Sequence, residues 1–296
     1  MVVPRNPQLS RRGLLAVAFA GACAPAAAPP KAPLEWDPFD RVEARVGGRV
    51  GVFALDTGSG RRLARRADER FAMCSTFKWA LAAAVLSRVD RGELGLEQRV
   101  SYGAADVLEY APVTREHLPR GSLSVEELAG AAVTLSDNTA ANLLLPFVGG
   151  PSGLTRYFRS LGDYVTRLDR DEPTLNENLA GDARDTTAPR GMAGALRAAL
   201  TGKALSRASR ERLIAWMRAS PTGRERLRAG LPPNWEAGDK TGTCNRGAVN
   251  DVAVIWPPAR PPILVAAYLS DSTRPLAELL AAQAEIGRIV AAELGS

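Results

Sequence analysis

Residues 235–270 read WEAGDKTGTCNRGAVNDVAVIWPPARPPILVAAYLS. Three apolar or alternating runs stand out in it: Trp235 to Thr243, Val249 to Trp256 and Ile263 to Ser270. Asn245-Arg246-Gly247 separates the first two, and Pro257 to Pro262 separates the last two. Both joints are turn chemistry, so three consecutive strands must run antiparallel. Upstream, Val50 to Leu55 reads as a further strand, and Asp56-Thr57-Gly58-Ser59-Gly60 turns it back into a hairpin. Strands at both ends of the chain imply one antiparallel sheet assembled from both termini. Pro275 to Leu294 is an amphipathic helix that closes the chain.

The stretch between the strands is helical. Trp79 to Leu86 is rich in Ala and Leu and reads as a buried helix. Ser124 begins another helix as N-cap with Glu127 three residues on, and that helix ends at Ser136-Asp137-Asn138. Further helices are expected over Thr139–Val148, Gly153–Leu161, Thr187–Leu200 and Ser206–Arg218. Between them Asp169 to Thr187 has no hydrophobic period, and a polar loop this long inside a compact domain carries function. The fold class expected is α/β (α+β). An antiparallel sheet from both chain ends is flanked by helices, an all-helical lobe is inserted into it, and the active site lies between. The sheet lobe covers about residues 36–70 and 220–296, and the helical lobe about 71–219.

Composition excludes several classes. The chain has 296 residues, 46% of them hydrophobic, and a net charge of +6. Basic residues are scattered and few aromatics accompany them, which argues against a nucleic-acid surface. His117 is the single histidine, so a His-rich metal site cannot be built, and no metal or cofactor is expected. A Ser-His-Asp triad would have to use His117, which lies outside every motif and reads as a surface loop residue. Only Lys31, Lys78, Lys203 and Lys240 are lysine among 38 basic residues. A buried lysine can lose its proton and an arginine cannot, so Lys78 and Lys240 are candidates for amine chemistry.

The N-terminus reads as a targeting segment over residues 1–28, followed by a linker over 29–35. Arg11-Arg12 ahead of the apolar stretch Ala16 to Ala22 resembles a bacterial twin-arginine signal. Two processing sites compete. One is lipidation at Cys23, although the usual leucine is missing three residues before it. The other is cleavage near Ala26-Ala27-Ala28. Export to the periplasm or beyond leaves Cys74 and Cys244 in an oxidising compartment, where a disulfide is expected. On the chain-entropy model a bridge closing so long a loop constrains the unfolded chain by about 4–5 kcal/mol. The alternative is two buried thiols.

Ser75-x-x-Lys78 places a hydroxyl and an amine on one face of the first turn of a helix, where developing negative charge is favoured. Three more motifs follow in order: Ser136-Asp137-Asn138, Glu172-Pro173-Thr174-Leu175-Asn176, and Lys240-Thr241-Gly242 on a strand. Three of the four are the signature of class A β-lactamases and penicillin-binding proteins. Over about residues 36–296 the sequence resembles a class A serine β-lactamase. The Glu172–Asn176 motif separates it from penicillin-binding proteins, whose acyl-enzymes last.

That resemblance implies an acyl-enzyme hydrolase of β-lactam antibiotics, monomeric and without a membrane span. Ser75 is the expected nucleophile, with Lys78 or Glu172 as its base. Ser136, beside Lys240, would pass a proton to the leaving nitrogen. Glu172, with Asn176 one helical turn on, would activate the deacylating water. Backbone N–H groups of Ser75 and Thr243 would form the oxyanion hole. Lys240, Thr241, Gly242 and Thr243 would hold the substrate carboxylate, with Arg226 or Arg246 assisting. Asn138 would hold the substrate's side-chain amide, and Tyr110 would form a wall of the cleft. Arg170 and Asp185 would pin the loop, and Asp137 would order its own turn. A cis bond is expected at Glu172–Pro173. The Cys74–Cys244 pair resembles that of class A carbapenemases, which implies a broad spectrum. The rivals are a penicillin-sensitive D-alanyl-D-alanine peptidase and a β-lactam sensor. Glu172 discriminates against the first, and the second would want a partner domain or membrane segment.

Overall fold

Five strands make the central sheet of this computed structural model, in the spatial order β2-β1-β9-β8-β7. They are β1 (Arg49–Asp56), β2 (Arg62–Arg65), β7 (Glu236–Cys244), β8 (Ala248–Trp256) and β9 (Ile263–Ser270). Every pairing is antiparallel, and β1 lies against β9 from Arg49↔Ser270 to Asp56↔Ile263. The expected assembly from both chain ends is what forms. Strand β9 is buried at every position because both faces of the sheet are covered. On one face, Val50, Val52, Val265 and Leu269 pack with Phe39, Leu279, Ile286 and Val290. These last come from around α1 (Asp40–Val46) and from α9 (Leu276–Leu294). On the other face, Phe53, Leu264 and Tyr268 join the core of the intervening helices.

Those helices are α2 (Phe77–Asp90), α3 (Pro112–Glu116), α4 (Val125–Thr134), α5 (Asn138–Leu144), α6 (Gly150–Ser160), α7 (Pro189–Leu200) and α8 (Arg207–Ala219). The α4 capping box forms as read from the sequence. Ser124 Oγ accepts from Glu127 N at 3.1 Å, and Ser124 N donates to Glu127 Oε2 at 2.7 Å. Four expectations shift. Ser75 is not in the helix proper: Cys74–Thr76 is a single 3-10 turn leading into α2. Helix α5 stops before Pro146, whose ring cannot sit in a continuing helix, and a 3-10 turn follows. Helix α6 starts earlier than expected, with Pro151 in its first turn. Helix α7 starts later, because Thr186–Thr187 is taken by a short strand, β6, that pairs with β3 (Phe71–Ala72). A second small pair joins β4 (Arg99–Ser101) to β5 (Ser122–Ser124).

The structure describes residues 1–3 and 37–295, and 36–296 make up one unit. The signal beyond residue 3, the linker, Cys23 and Lys31 lie outside the described residues. Among the described residues no helix is long and apolar enough to cross a membrane.

Candidate active site

Between the 3-10 turn before α2, the turn before α5, the polar loop and β7 lies a cleft of about 350 Å³. Ser75, Tyr110, Ser136, Asn138, Asn176, Thr222, Arg226 and residues Thr241 to Thr243 line it. Four segments far apart in sequence therefore meet in one place.

The burial of Lys78 organises the site. Its helix is apolar all round from Phe77 to Leu86, and the lysine is fully enclosed. Its Nζ lies 3.0 Å from Ser75 Oγ, 2.9 Å from Ser136 O, 2.5 Å from Asn138 Oδ1 and 2.9 Å from Glu172 Oε1. An ammonium has three protons for these four oxygens. Burial pushes the lysine amine below its ordinary range, and the Glu172 charge pulls back against it. Ser75 Oγ is 3.4 Å from Glu172 Oε1, so the hydroxyl faces both members of the pair. Glu172 Oε2 accepts from Asn176 Nδ2 at 2.6 Å. The Glu172–Pro173 bond is cis, as expected. A 3-10 turn over Thr174–Asn176, rather than an α-helical one, brings the amide round to the carboxylate.

On the other side of Ser75 stands a second buried lysine. Lys240 Nζ lies 2.9 Å from Ser136 Oγ and 2.8 Å from Thr241 O. Burial lowers this amine well below its ordinary range, and the positive charge of Lys78 adds to the effect. Ser136 holds a left-handed backbone, φ 60°, that points its carbonyl at Lys78 and its hydroxyl at Lys240. Asp137 does more than order its own turn. It caps α5 through Ala140 N at 2.8 Å and accepts from Val113 N, Thr114 N and Thr114 Oγ1. That ties the segment after Tyr110 to the turn carrying Ser136.

The two candidate arginines separate. Arg226 reaches the cleft from behind β7 and donates to Gly242 O, Asn250 O and Thr243 Oγ1 at 2.6–2.8 Å. Arg246 pairs with Asp271 on the surface, outside the cleft lining. His117 ends α3 and is also outside that lining. Tyr110 is half-exposed at the mouth. Asn138 spends its Oδ1 on Lys78, so its Nδ2 is what can face a substrate. Cys74 and Cys244 are disulfide-bonded, with Cα atoms 5.7 Å apart.

The polar loop is held by hydrogen bonds. Asp185 is buried and accepts from Asp169 N at 2.7 Å, Arg170 N at 3.0 Å and Arg170 Nε at 2.6 Å. Asn142 was missed in the sequence. Its side chain accepts from Glu172 N at 3.0 Å and donates to Glu172 O at 2.8 Å, bracketing the Glu172 backbone from α5. The signal was available: Asn142 sits one turn beyond Asn138 on an otherwise apolar helix.

The β-lactamase enzyme family model matches residues 37–294. The chain is 47% identical over 257 residues to β-lactamase AST-1 of Nocardia asteroides, covering 87% of this chain and 83% of that protein. It is 46% identical over 233 residues to the carbapenem-hydrolyzing β-lactamase KPC of Klebsiella oxytoca, covering 78% and 79%. The structure of a class A β-lactamase of the last common ancestor of Gram-negative bacteria superposes with a TM-score of 0.84 at 56% identity, covering 86% of this chain and 97% of that one. The chain belongs to the β-lactamase enzyme family. Within it, the protein is a class A β-lactamase, a hydrolase of β-lactams.

Proposed function

We propose that Ser75 opens the β-lactam ring as nucleophile and that Glu172 drives hydrolysis of the resulting acyl-enzyme. The observation that supports this most is the position of Ser75 Oγ, 3.0 Å from Lys78 Nζ and 3.4 Å from Glu172 Oε1. Lys78 Nζ and Glu172 Oε1 touch at 2.9 Å, so a proton taken from Ser75 can be shared between them. The pair accepts the Ser75 proton as Oγ bonds to the lactam carbonyl carbon. The oxyanion forms against the N–H groups of Ser75 and Thr243. Each such donor typically contributes about 3–4 kcal/mol to the transition state. As the C–N bond breaks, Ser136 gives its proton to the nitrogen and recovers one from the buried amines on either side. Lys240, Thr241, Thr243 and Arg226 hold the substrate carboxylate, and Asn138 Nδ2 meets the carbonyl of its side chain.

Deacylation needs a water between Glu172 and Asn176. Asn176 Oδ1 is buried and has no protein hydrogen-bond partner among the described residues. A buried acceptor beside a carboxylate suits an ordered water. Glu172 takes the water's proton, the hydroxide attacks the ester carbon, and Ser75 leaves with the proton returned. Arg170 and Asp185 keep the loop that carries this pair in place. The test is hydrolysis of a chromogenic cephalosporin by wild type, Ser75→Ala and Glu172→Ala. Ser75→Ala forms no acyl-enzyme. Glu172→Ala accumulates one, and turnover falls by about 10³-fold or more. Equal turnover by all three would refute the assignment.

The Cys74–Cys244 bridge and the likeness to a carbapenem-hydrolyzing relative support activity on carbapenems. Carbapenem turnover no faster than the buffer blank excludes it. The Arg11-Arg12 segment supports export by the twin-arginine route, and the mass of the mature N-terminus distinguishes a lipid on Cys23 from cleavage near Ala28.

A further inference from the structure

Four residues form a row across the central sheet. The register sets Gly51 opposite Tyr268, Tyr268 opposite Asn250, and Asn250 opposite Gly242. Directly paired residues project to the same face. On that face lies the segment from Phe71 to Thr76, which carries Ser75. The two glycines admit it. A Cβ on Gly51 would sit 2.3 Å from the Phe71 ring, and one on Gly242 would sit 2.8 Å from Met73 O and 3.2 Å from Ser75 N.

The two larger residues grip it. Asn250 is fully buried, and its Nδ2 lies 2.9 Å from Ala72 O and 3.3 Å from Met73 O. Both partners are carbonyls, so only the amide nitrogen can face them. Asn250 Oδ1 has no partner among the described residues. Tyr268, also fully buried, has its hydroxyl 3.2 Å from Thr76 Oγ1. Thr76 Oγ1 already donates to Met73 O at 2.8 Å, so the tyrosine is the donor to it. Between these grips Cys74 adopts φ 46°, a left-handed conformation that an L-residue keeps only when its surroundings impose it.

We infer that Asn250 and Tyr268 are positioning residues for the nucleophile, and that they form a seat acting in parallel with the Cys74–Cys244 bridge. The bridge holds Cys74 from the end of β7, and the seat holds its neighbours from beneath. Either attachment alone keeps Ser75 near its aligned position, and loss of both releases it. This rests on Ser75 being the nucleophile.

The experiment separates substrate affinity from acylation by rapid mixing with a chromogenic cephalosporin, well below each variant's melting temperature. The Asn250→Ala change keeps the backbone carbonyl that accepts from Arg226, so affinity for the noncovalent complex stays within about twofold. Its acylation rate constant falls about tenfold, and that of Cys244→Ala by less than about fivefold. The double variant falls by about 500-fold, well beyond the product of the two. Tyr268→Phe removes one hydroxyl and costs about threefold alone, again with a more than multiplicative loss on Cys244→Ala. It carries the test if Asn250→Ala does not fold. Strictly multiplicative losses, or an unchanged acylation rate in both seat variants, overturn the seat while leaving the nucleophile intact. Absence of an acyl group on Ser75 in the wild type overturns the nucleophile, and the seat with it.

Discussion

Lys78 and Glu172 touch at 2.9 Å, yet they come from surroundings that share almost nothing. Lys78 projects from a helix whose residues Phe77 to Leu86 are all buried, among Trp79, Leu81, Leu128, Leu144 and Phe158. Glu172 belongs to a loop whose residues are mostly exposed or half-buried. In that loop Leu175 is the buried apolar plug, and carboxylates, guanidinium groups and asparagines supply the rest of the hold. One side of the site is held by apolar packing, which is non-directional and indifferent to pH. The other is held by directional bonds to charged groups, each of which can be removed singly. On the proposed mechanism Lys78 alone can serve acylation, whereas deacylation needs Glu172 on the loop, so the two steps should fail under different insults.

The widest gap between the two sides should appear with Asp185→Ala. It leaves Arg170 Nε and two backbone N–H groups without their acceptor, with Glu177 as the guanidinium's remaining partner. Displacing Glu172 by an ångström can lower turnover about 100-fold, with acyl-enzyme accumulating and acylation changed by less than about threefold. Burst kinetics read this directly, and equal losses in both steps would erase the distinction.

Acid gives a smaller effect. Hydrogen bonds from Arg167 hold the Asp169 carboxyl below its usual range, and those from Arg184 hold Asp182 at about 2. A carboxyl lowered by folding contributes stability above its unfolded value near 3.8 and loses it as the pH falls through the folded value. Pepsin should therefore cut within residues 169–187 as the pH drops from about 4 towards about 2, before the far-UV helix signal is lost. Simultaneous loss of both would show the loop to be no weaker than the helix wall.

The smallest effect on turnover should come from Leu81→Ala. The fully buried leucine is a packing residue of the helix wall, and its truncation costs about 2–5 kcal/mol of stability. Turnover at 25 °C should stay within about twofold while the melting temperature falls. A loss of turnover like that of Asp185→Ala would mean that packing, too, sets the position of the reacting groups.

The legible parts of this molecule were those whose chemistry is local in sequence. Ser75-x-x-Lys78 and Glu172 to Asn176 place two groups within one turn, and β7 to β9 announce themselves by alternation and by Asn-Arg-Gly and Pro-rich joints. The α4 capping box is legible for the same reason. What stayed hidden depends on distant partners. Asn142 stands out on its helix and Asn250 sits beside Asp251 in its strand, but neither neighbourhood names the distant partner, the Glu172 backbone for one and the Ala72 and Met73 carbonyls for the other. The two-residue strands β3 and β6 are too short to carry a period. Arg226 matched the family position and Arg246 stood as its rival, and only the course of the chain behind β7 sends the first into the cleft and the second to Asp271.

The pairing of β1 with β9 joins Arg49 to Ser270, so the strand made early waits for the strand made late. During synthesis, β1 and β2 can form only a two-stranded hairpin, which is marginal by itself in water. The face that supports the Ser75 segment does not exist until β8 and β9 have been translated and have inserted between β1 and β7. The growing chain therefore carries Ser75 without its supporting face until β8 and β9 are made. On the proposed mechanism, catalytic competence arrives in a step that is simultaneously the closure of the sheet.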